Sequence, residues 1–407
     1  MTTNTQTAPP PGSLYGLPQV NTFFDGKDNN TNVVVSGSQA NVTPINSLSP
    51  FLQDNVVFAY QLWCTINQTV TLSTGSATAS PYFPYNYLQN IAVNMQSSYK
   101  PIDVHSGVDL LIFDLIRPQT RWAQTNGGVF AYDSPSSLYQ TSLNAYPPFN
   151  GGDTPDSETA LNLLYNLPVS VYLDDYFDLA ADGTYNNSVP IPAVVSPQYM
   201  GGNARNVTLS ANLASAASSS TDASPFTVVS PATVDFSANL SVRRRGVFNT
   251  NNAATSPPIF NWQYSRKTES VNLTGANNNL YLNNVSGQIL SFYVRLFDVG
   301  TNLPIPITNI ESIKVQTGGA LDRFDDTAST VQRRFQQQHG YLLPNGVVAY
   351  DLAADTDGSG RLTNANAINT LTTASPTVQL TLSSAPSAGS YAIIGYETLV
   401  PIVAMGA

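Results

Sequence analysis

Charged side chains are scarce in this 407-residue sequence, and their scarcity excludes several classes of protein. Asp, Glu, Lys and Arg make up 10% of the residues, against about 25% in an average soluble protein. Only four residues are Glu and four are Lys, so the sequence lacks the composition of a coiled coil or helical bundle. Hydrophobic residues still make up 42%, which provides for packed cores and excludes intrinsic disorder.

Cysteine and histidine are nearly absent, which removes most metal sites and nucleophilic enzymes from consideration. The single cysteine, Cys64, cannot form an internal disulfide or a cysteine-based zinc site. The two histidines, His105 and His339, form no metal-binding pair and lie near no nucleophile elbow, so surface or capping roles are expected for both. We therefore predict no catalytic residues, no cofactor and no enzymatic activity.

The charge balance also argues against nucleic acid as a direct partner. The formal net charge is −10, whereas broad phosphate binding requires clustered Lys and Arg. Sequence-specific nucleic-acid binding is therefore not expected. No run approaches 18 apolar residues, so the sequence predicts no membrane-spanning helix.

The sequence instead contains many short apolar or alternating runs, separated by Gly, Pro, Asn and Asp. This spacing is typical of an all-β sandwich or barrel. A small, polar segment inside Ala211–Pro225 separates two series of runs, each able to supply about eight strands. The predicted parts are an extended N-terminal arm (1–25), a first sandwich (26–215), a linker (216–232) and a second sandwich (233–407).

Two apolar segments carry more specific local predictions. Thr327–Gln338 is predicted to be a helix because Val331 and Phe335 recur on one face. Val108–Ile116 is a nearly continuous apolar run and is predicted to be a strand.

One segment partly matches a calcium-binding loop. Asp355, Asp357 and Ser359 supply oxygen ligands at alternate positions, as in the first half of an EF-hand loop. The twelfth position, which should be Glu, is Asn366. These residues are thus a weak candidate for a calcium site, and a plain turn is the competing interpretation.

One dense basic cluster occurs, Arg243, Arg244 and Arg245, at the end of a strand-like run. It could contact a neighbouring subunit, lipid or phosphate groups, or solvent alone. A subunit or membrane-proximal contact is the prediction favoured for this cluster.

Tyr341–Leu352, in the last third of the chain, contains a Pro-x-Gly-Val turn that leads into a strand of Tyr and apolar residues. This segment resembles the second barrel of double-jelly-roll major capsid proteins. Val331–Phe335 resembles the Arg-containing helix before that turn in the tectivirus-like lineage, and Ile394–Glu397 resembles the Gly-Tyr-Glu of its last strand. In the first half, Asn90–Met95 and Val108–Leu115 resemble a hairpin of paired strands.

The resemblance implies two tandem eight-stranded jelly-roll sandwiches with long loops and little helix. It further implies pseudo-hexagonal homotrimers that tile the icosahedral shell of a tailless bacteriophage or archaeal virus, around an internal membrane and a double-stranded DNA genome. The implied partners are other copies of the chain, minor capsid and vertex proteins and, as a further candidate, the lipid membrane. The implied location is the virion, with the host cytoplasm during assembly.

Two other functions are compatible with a polar β-rich sequence. A carbohydrate-binding β-sandwich would use the many Tyr, Trp and Asn side chains. A phage glycan-degrading enzyme would use paired carboxylates such as Asp174-Asp175 or Asp325-Asp326, although Asp pairs in turns explain these equally well.

Few titrating groups are available to drive acid unfolding. The chain carries 26 carboxylate side chains and, with the carboxylates neutral, only 16 Lys and Arg and 2 His as positive groups. Hydrogen bonds of Asn, Gln, Ser and Thr do not titrate in this range. The composition therefore predicts an acid-tolerant fold and assembly.

Overall fold

The structure is a computed structural model of the chain. It describes residues 28–35, 43–48, 56–79, 85–95, 99–116, 149–150, 161–168, 170–172, 190–192, 194–195, 208–214, 226–248, 262–282, 285–301, 303–317, 321–339, 343–354, 364, 366–372 and 376–401. The candidate calcium ligands Asp355, Asp357 and Ser359 lie outside these residues. Among the described residues, no group of acidic, His or Cys side chains is placed to hold a metal ion.

Strands dominate both parts of the chain. The strands up to residue 213 are β1 (Asp28–Val35), β2 (Thr43–Leu48), β3 (Val56–Ala79), β4 (Leu88–Met95), β5 (Tyr99–Ser106), β6 (Phe149–Asn150), β7 (Leu161–Pro168), β8 (Ser170–Tyr172), β9 (Pro190–Pro192), β10 (Val194–Val195) and β11 (Thr208–Leu213). The later strands are β12 (Phe226–Phe248), β13 (Trp262–Asn272), β14 (Asn277–Tyr281), β15 (Gln288–Asp298), β16 (Leu303–Pro304), β17 (Ile310–Thr317), β18 (Leu321–Asp326), β19 (Val347–Asp351), β20 (Ile368–Asn369), β21 (Thr377–Leu382) and β22 (Tyr391–Pro401).

The strands from β13 onward form a jelly roll. Four of them hydrogen-bond in the order β13-β22-β15-β19, and four more in the order β14-β21-β17-β18. All of these pairings are antiparallel. Numbered along the chain, the eight strands run 1-8-3-6 and 2-7-4-5, which is the connectivity of two interleaved Greek keys. The short strands β16 and β20 add to β15. The predicted eight-stranded jelly roll is confirmed for this half.

The core of this jelly roll follows the two-residue period of its strands. In β15, Phe292 and Val294 point into the core, and in β21, Val378 and Leu380 meet them from the facing sheet. The intervening residues of β21 are only half-buried. β15, in contrast, is buried on both faces over Ile289–Phe297, so a second layer covers its outer face.

The first half joins the second through a shared sheet. β5 lies parallel to β13 with two paired positions, Ile102 with Arg266 and Asp103 with Lys267, and the sheet continues through β4, β11 and β2. In another sheet β12 pairs with β3 along most of its length and with β1 on its other edge. β12 begins at Phe226, inside the predicted linker (216–232), and pairs with strands of the first half. The predicted division into parts stays a prediction.

Two α-helices interrupt the described strands. α1 (Gly107–Ile116) occupies the segment predicted to be a strand, and that prediction is wrong. All ten of its residues are buried. The sequence therefore lacks the polar residues at helical spacing that an exposed helix face would show. α2 (Ala328–His339) confirms the predicted helix. No helix among the described residues is long and apolar enough to cross a membrane.

A matched pair of leucines tests the packing of α1. Leu111 is buried in α1 with 2% of its surface exposed, whereas Leu371 lies in a turn with 52% exposed. Leu111→Ala is expected to lower the free energy of unfolding by about 2–5 kcal/mol, because it leaves a cavity between the layers. Leu371→Ala should change it by no more than about 0.5 kcal/mol. Urea unfolding measures both, and equal effects would show that α1 is not a core element.

Candidate functional site: the buried ionic interface under helix α1

Helix α1 carries two buried carboxylates toward the outer face of the second jelly roll. Asp109 is fully buried and Asp114 is 9% exposed. They face Arg295 on β15 and Arg266 on β13, both fully buried. These arginines point outward from the jelly-roll core, because they alternate with its core residues along their strands. The interface therefore joins a helix of the first half to a sheet of the second.

Asp109 accepts five hydrogen bonds from three residues. Arg295 donates from Nε to Oδ1 at 3.2 Å and from Nη2 to Oδ2 at 3.3 Å, and Tyr293 donates its hydroxyl to Oδ1 at 2.8 Å. The backbone N–H of Ser106, at 2.9 Å, and its hydroxyl, at 3.0 Å, donate to Oδ2. Ser106 precedes the helix and Asp109 is its third residue, so this carboxylate also caps the helix start. One side chain thus fixes both the start and the docking of α1.

Asp114 belongs to a second cluster centred on Arg266. Arg266 donates from Nη1 to Asp114 at 3.3 Å and from Nε to Glu397 Oε1 at 2.8 Å. The Tyr264 hydroxyl donates to Glu397 Oε1 at 2.6 Å and also accepts from Arg266 Nε. Ser291 donates to the other oxygen, Glu397 Oε2, at 2.7 Å. The guanidinium therefore bridges α1 and β22.

Aromatic rings enclose both clusters. Phe113 of α1 lies 5.0 Å from the Arg266 guanidinium and meets Tyr293 edge-on, with ring centroids 5.0 Å apart. The ring of Tyr293 crosses β22 directly over its cross-strand partner Gly395, where a Cβ atom would overlap it. A glycine is therefore required at this position for Tyr293 to reach Asp109.

The Arg266 cluster contains two carboxylates, Asp114 and Glu397, but only one guanidinium. Burial favours the neutral, protonated form of Asp114. Burial raises the pKa of Asp114 to about 7, although Arg266 acts to lower it. Burial by itself would lower the pKa of Arg266, but Tyr264, Glu397 and Asp114 together leave it raised, so the guanidinium stays charged. Asp114 therefore takes up a proton near neutral pH, while the Arg266 guanidinium stays charged beside Glu397.

The chemistry of this interface is structural. Its carboxylates are held by guanidinium, hydroxyl and backbone donors, and burial raises the pKa of Tyr293 well above its usual value, so that hydroxyl remains a donor. Such buried, directional contacts specify one relative position of the packed elements. The interface is a clamp between the two halves.

The candidate residues predicted from the sequence lie elsewhere. Arg243, Arg244 and Arg245 are in β12, where their backbones pair with Trp63, Leu62 and Gln61 of β3. These arginines are not among the residues that the clamp brings together, and their role stays a prediction.

The two histidines and the Asp325-Asp326 pair have structural contacts. His339 lies 3.3 Å from Asp351 with its side chain only 10% exposed, so a surface role does not describe it. The backbone N–H of His105 donates to Thr268 at 2.7 Å. Asp326 accepts two hydrogen bonds from Arg334 of α2, both at 3.2 Å.

The residues of the clamp were missed at the sequence level, although one signal was available. Arg295 stands inside the apolar run Ser291–Phe297, and a strand arginine between such neighbours must be paired when it is buried. Nothing local to that run identifies Asp109, 186 residues away, as its partner.

Asp114 predicts a specific dependence of stability on pH. Its folded-state pKa of about 7 lies above the ordinary 3.8, so the native state binds this proton more tightly. The resulting stabilisation is fully present below about pH 4 and is lost as the pH rises through 7. Asp114→Asn should therefore gain stability relative to the natural chain between pH 4 and pH 8. Urea midpoints across this range measure the difference.

The exposed Asp325 provides the control, since Asp325→Asn should show no such divergence. If Asp114→Asn becomes the less stable chain at pH 8, the ion pair with Arg266 outweighs the cost of burial, and the assignment is wrong.

Comparison with known proteins finds solved structures with a similar fold. No protein-family model matches the sequence. No curated protein matches it either. Among solved structures, the major capsid protein of Sulfolobus turreted icosahedral virus is similar at a TM-score of 0.54 and 13% identity, over 92% of this chain and 96% of that chain. A chain in the atomic structure of the same virus is similar at 0.51 and 15% identity, over 93% and 92%. This chain therefore has the double-jelly-roll fold of these capsid proteins.

Proposed function

We propose that this chain is the major capsid protein of an icosahedral virus. In this role it forms pseudo-hexagonal homotrimers that tile a shell around an internal membrane and a double-stranded DNA genome. The observation that carries the proposal is the fold, which matches a viral major capsid protein along 92% of this chain and 96% of that protein. The similarity extends across both halves, so it is not confined to one sandwich.

The clamp under α1 suits a shell subunit. A shell repeats the same contacts many times, so each subunit must hold its two halves at one fixed angle. Buried ion pairs are screened by salt much less than exposed ones, and those of Asp109 with Arg295 and Glu397 with Arg266 are fully buried. The clamp can therefore keep the subunit rigid across a range of ionic strengths.

The surface composition supports repeated contacts between copies. With only 10% charged residues, most polar side chains are neutral. Neutral amides and hydroxyls bond across an interface without the salt dependence of exposed ion pairs. The carbohydrate-binding and glycan-degrading alternatives have no comparable support from the fold.

The virion environment follows from the same role. Further partners in this proposal are minor capsid and vertex proteins and the internal membrane, and assembly takes place in the host cytoplasm. The proton uptake of Asp114 supports the predicted acid tolerance, because it favours the folded state as the pH falls.

The basic cluster has a place in this proposal. Among the described residues, the pairing of β12 with β1 reaches Val242, opposite Asp28, immediately before Arg243. We assign the three arginines beside this point to a subunit or membrane-proximal contact.

Light scattering on the purified full chain tests the oligomer. The expected mass is that of a trimer of the 43.6 kDa chain or of larger assemblies built from trimers. Replacing Arg243, Arg244 and Arg245 with Ser should reduce assembly while circular dichroism stays unchanged. Arg333→Ser, on the exposed side of α2, is the control and should assemble normally. A monomer at all concentrations and ionic strengths would contradict the capsid function.

A further inference from the structure

The four-stranded sheet of the second jelly roll has an outer face that other described elements leave uncovered. Along β14, Asn278 and Leu280 are buried, whereas Asn277, Asn279 and Tyr281 are exposed, Tyr281 by 54%. The outward residues of the adjacent strand β21, Thr377, Gln379 and Thr381, are half-buried. We call the outward side chains of these two strands the amide face.

The facing sheet differs in this respect. β15 and β22 are buried on both sides over most of their length, because α1 and the clamp cover the face that points away from the jelly-roll core. The amide face therefore lies on the sheet opposite the clamp. A contact there would leave the joint between the two halves undisturbed.

The amide face carries no charge in a chain whose net charge is −10. Asn279 lies directly opposite Gln379, Asn277 opposite Thr381, and Tyr281 opposite Thr377. Gln379 donates a hydrogen bond to Gln316 of the next strand, β17, at 3.0 Å, so the amide side chains continue across the sheet. The two strands of this face bring no like charges together, and on the next strand Lys314 lies opposite Gln379.

The two edge strands of this sheet differ in their charged residues. β18, at one edge, contains Asp322, Arg323, Asp325 and Asp326, and charges on an edge strand oppose unwanted pairing. β14, at the other edge, has neither charge nor proline, and its pairing with β21 is regular over all five residues. An edge without these protections is open to coverage by a loop, a helix or another chain.

We propose that the amide face of one copy packs against the same face of a second copy across a two-fold axis. Two-fold contacts require a self-complementary surface. Amide and hydroxyl side chains meet this requirement because each both donates and accepts hydrogen bonds. The inference rests on the proposed capsid function, in which such a contact joins neighbouring trimers and is separate from the contacts inside a trimer.

Charge substitutions of both signs test the contact in the full-length chain. Asn277→Asp with Asn279→Asp places negative charges opposite each other across the axis, and Asn279→Arg alone does the same with positive charges. Both variants should form trimers normally, yet association of trimers into larger particles should weaken by at least about tenfold at low salt. High salt should restore part of it. Gln336→Glu with Gln337→Glu, on the exposed side of α2, is the matched control and should assemble as the natural chain does.

The possible outcomes separate the two proposals. If both variants assemble normally, or if the aspartates weaken assembly and the arginine strengthens it, the like-with-like contact is wrong. If the variants fold but lose the trimer, the face lies within the trimer, and the two-fold contact is again wrong. If the natural chain itself never forms trimers, the capsid function fails. Analytical ultracentrifugation with electron microscopy of the particles distinguishes these results.

Discussion

Two buried guanidinium groups, those of Arg266 and Arg295, set the constraint on which the arrangement of the two halves depends. Both are fully buried, and removing one partner of such an ion pair typically costs about 3–5 kcal/mol. Their carboxylate partners on α1, Asp114 and Asp109, come from the first half of the chain. The charge of Arg266 is already paired with Glu397 of the second jelly roll, whereas Arg295 is paired with Asp109 of α1. The halves are joined by the contacts of these arginines with α1 as much as by the two paired positions of β5 and β13.

The same constraint explains the Gly-Tyr-Glu segment of the last strand residue by residue. Gly395 leaves room for the ring of Tyr293, which reaches over β22 to Asp109. Tyr396 faces the core of the jelly roll and donates its hydroxyl to Glu269 at 3.0 Å. Glu397 holds Arg266. The motif that resembles the capsid-protein family in the sequence thus consists of three residues with three different structural roles on one strand.

The sequence predicted the features that local patterns encode and missed those that depend on distant partners. Strands such as β21 were predictable because they alternate between buried and half-buried residues. Fully buried strands such as β15 were predictable as short apolar runs between turns, and α2 was predictable because it keeps a helical face. α1 was not, since burial on every side removes the period that separates a helix from a strand. The clamp was not predictable either, because Asp109 and Arg295 are 186 residues apart and a single sequence carries no information on which charges meet.

A double-mutant cycle on Asp109 and Arg295 tests most directly whether the clamp ties the halves together. Asp109→Asn, Arg295→Met and the combined variant are compared with the natural chain by equilibrium urea unfolding. If the ion pair couples α1 to the second jelly roll, the double variant should be more stable than the sum of the single effects predicts, by about 2 kcal/mol or more. Single effects that add to within about 0.5 kcal/mol would show that the two residues act independently and would contradict the clamp.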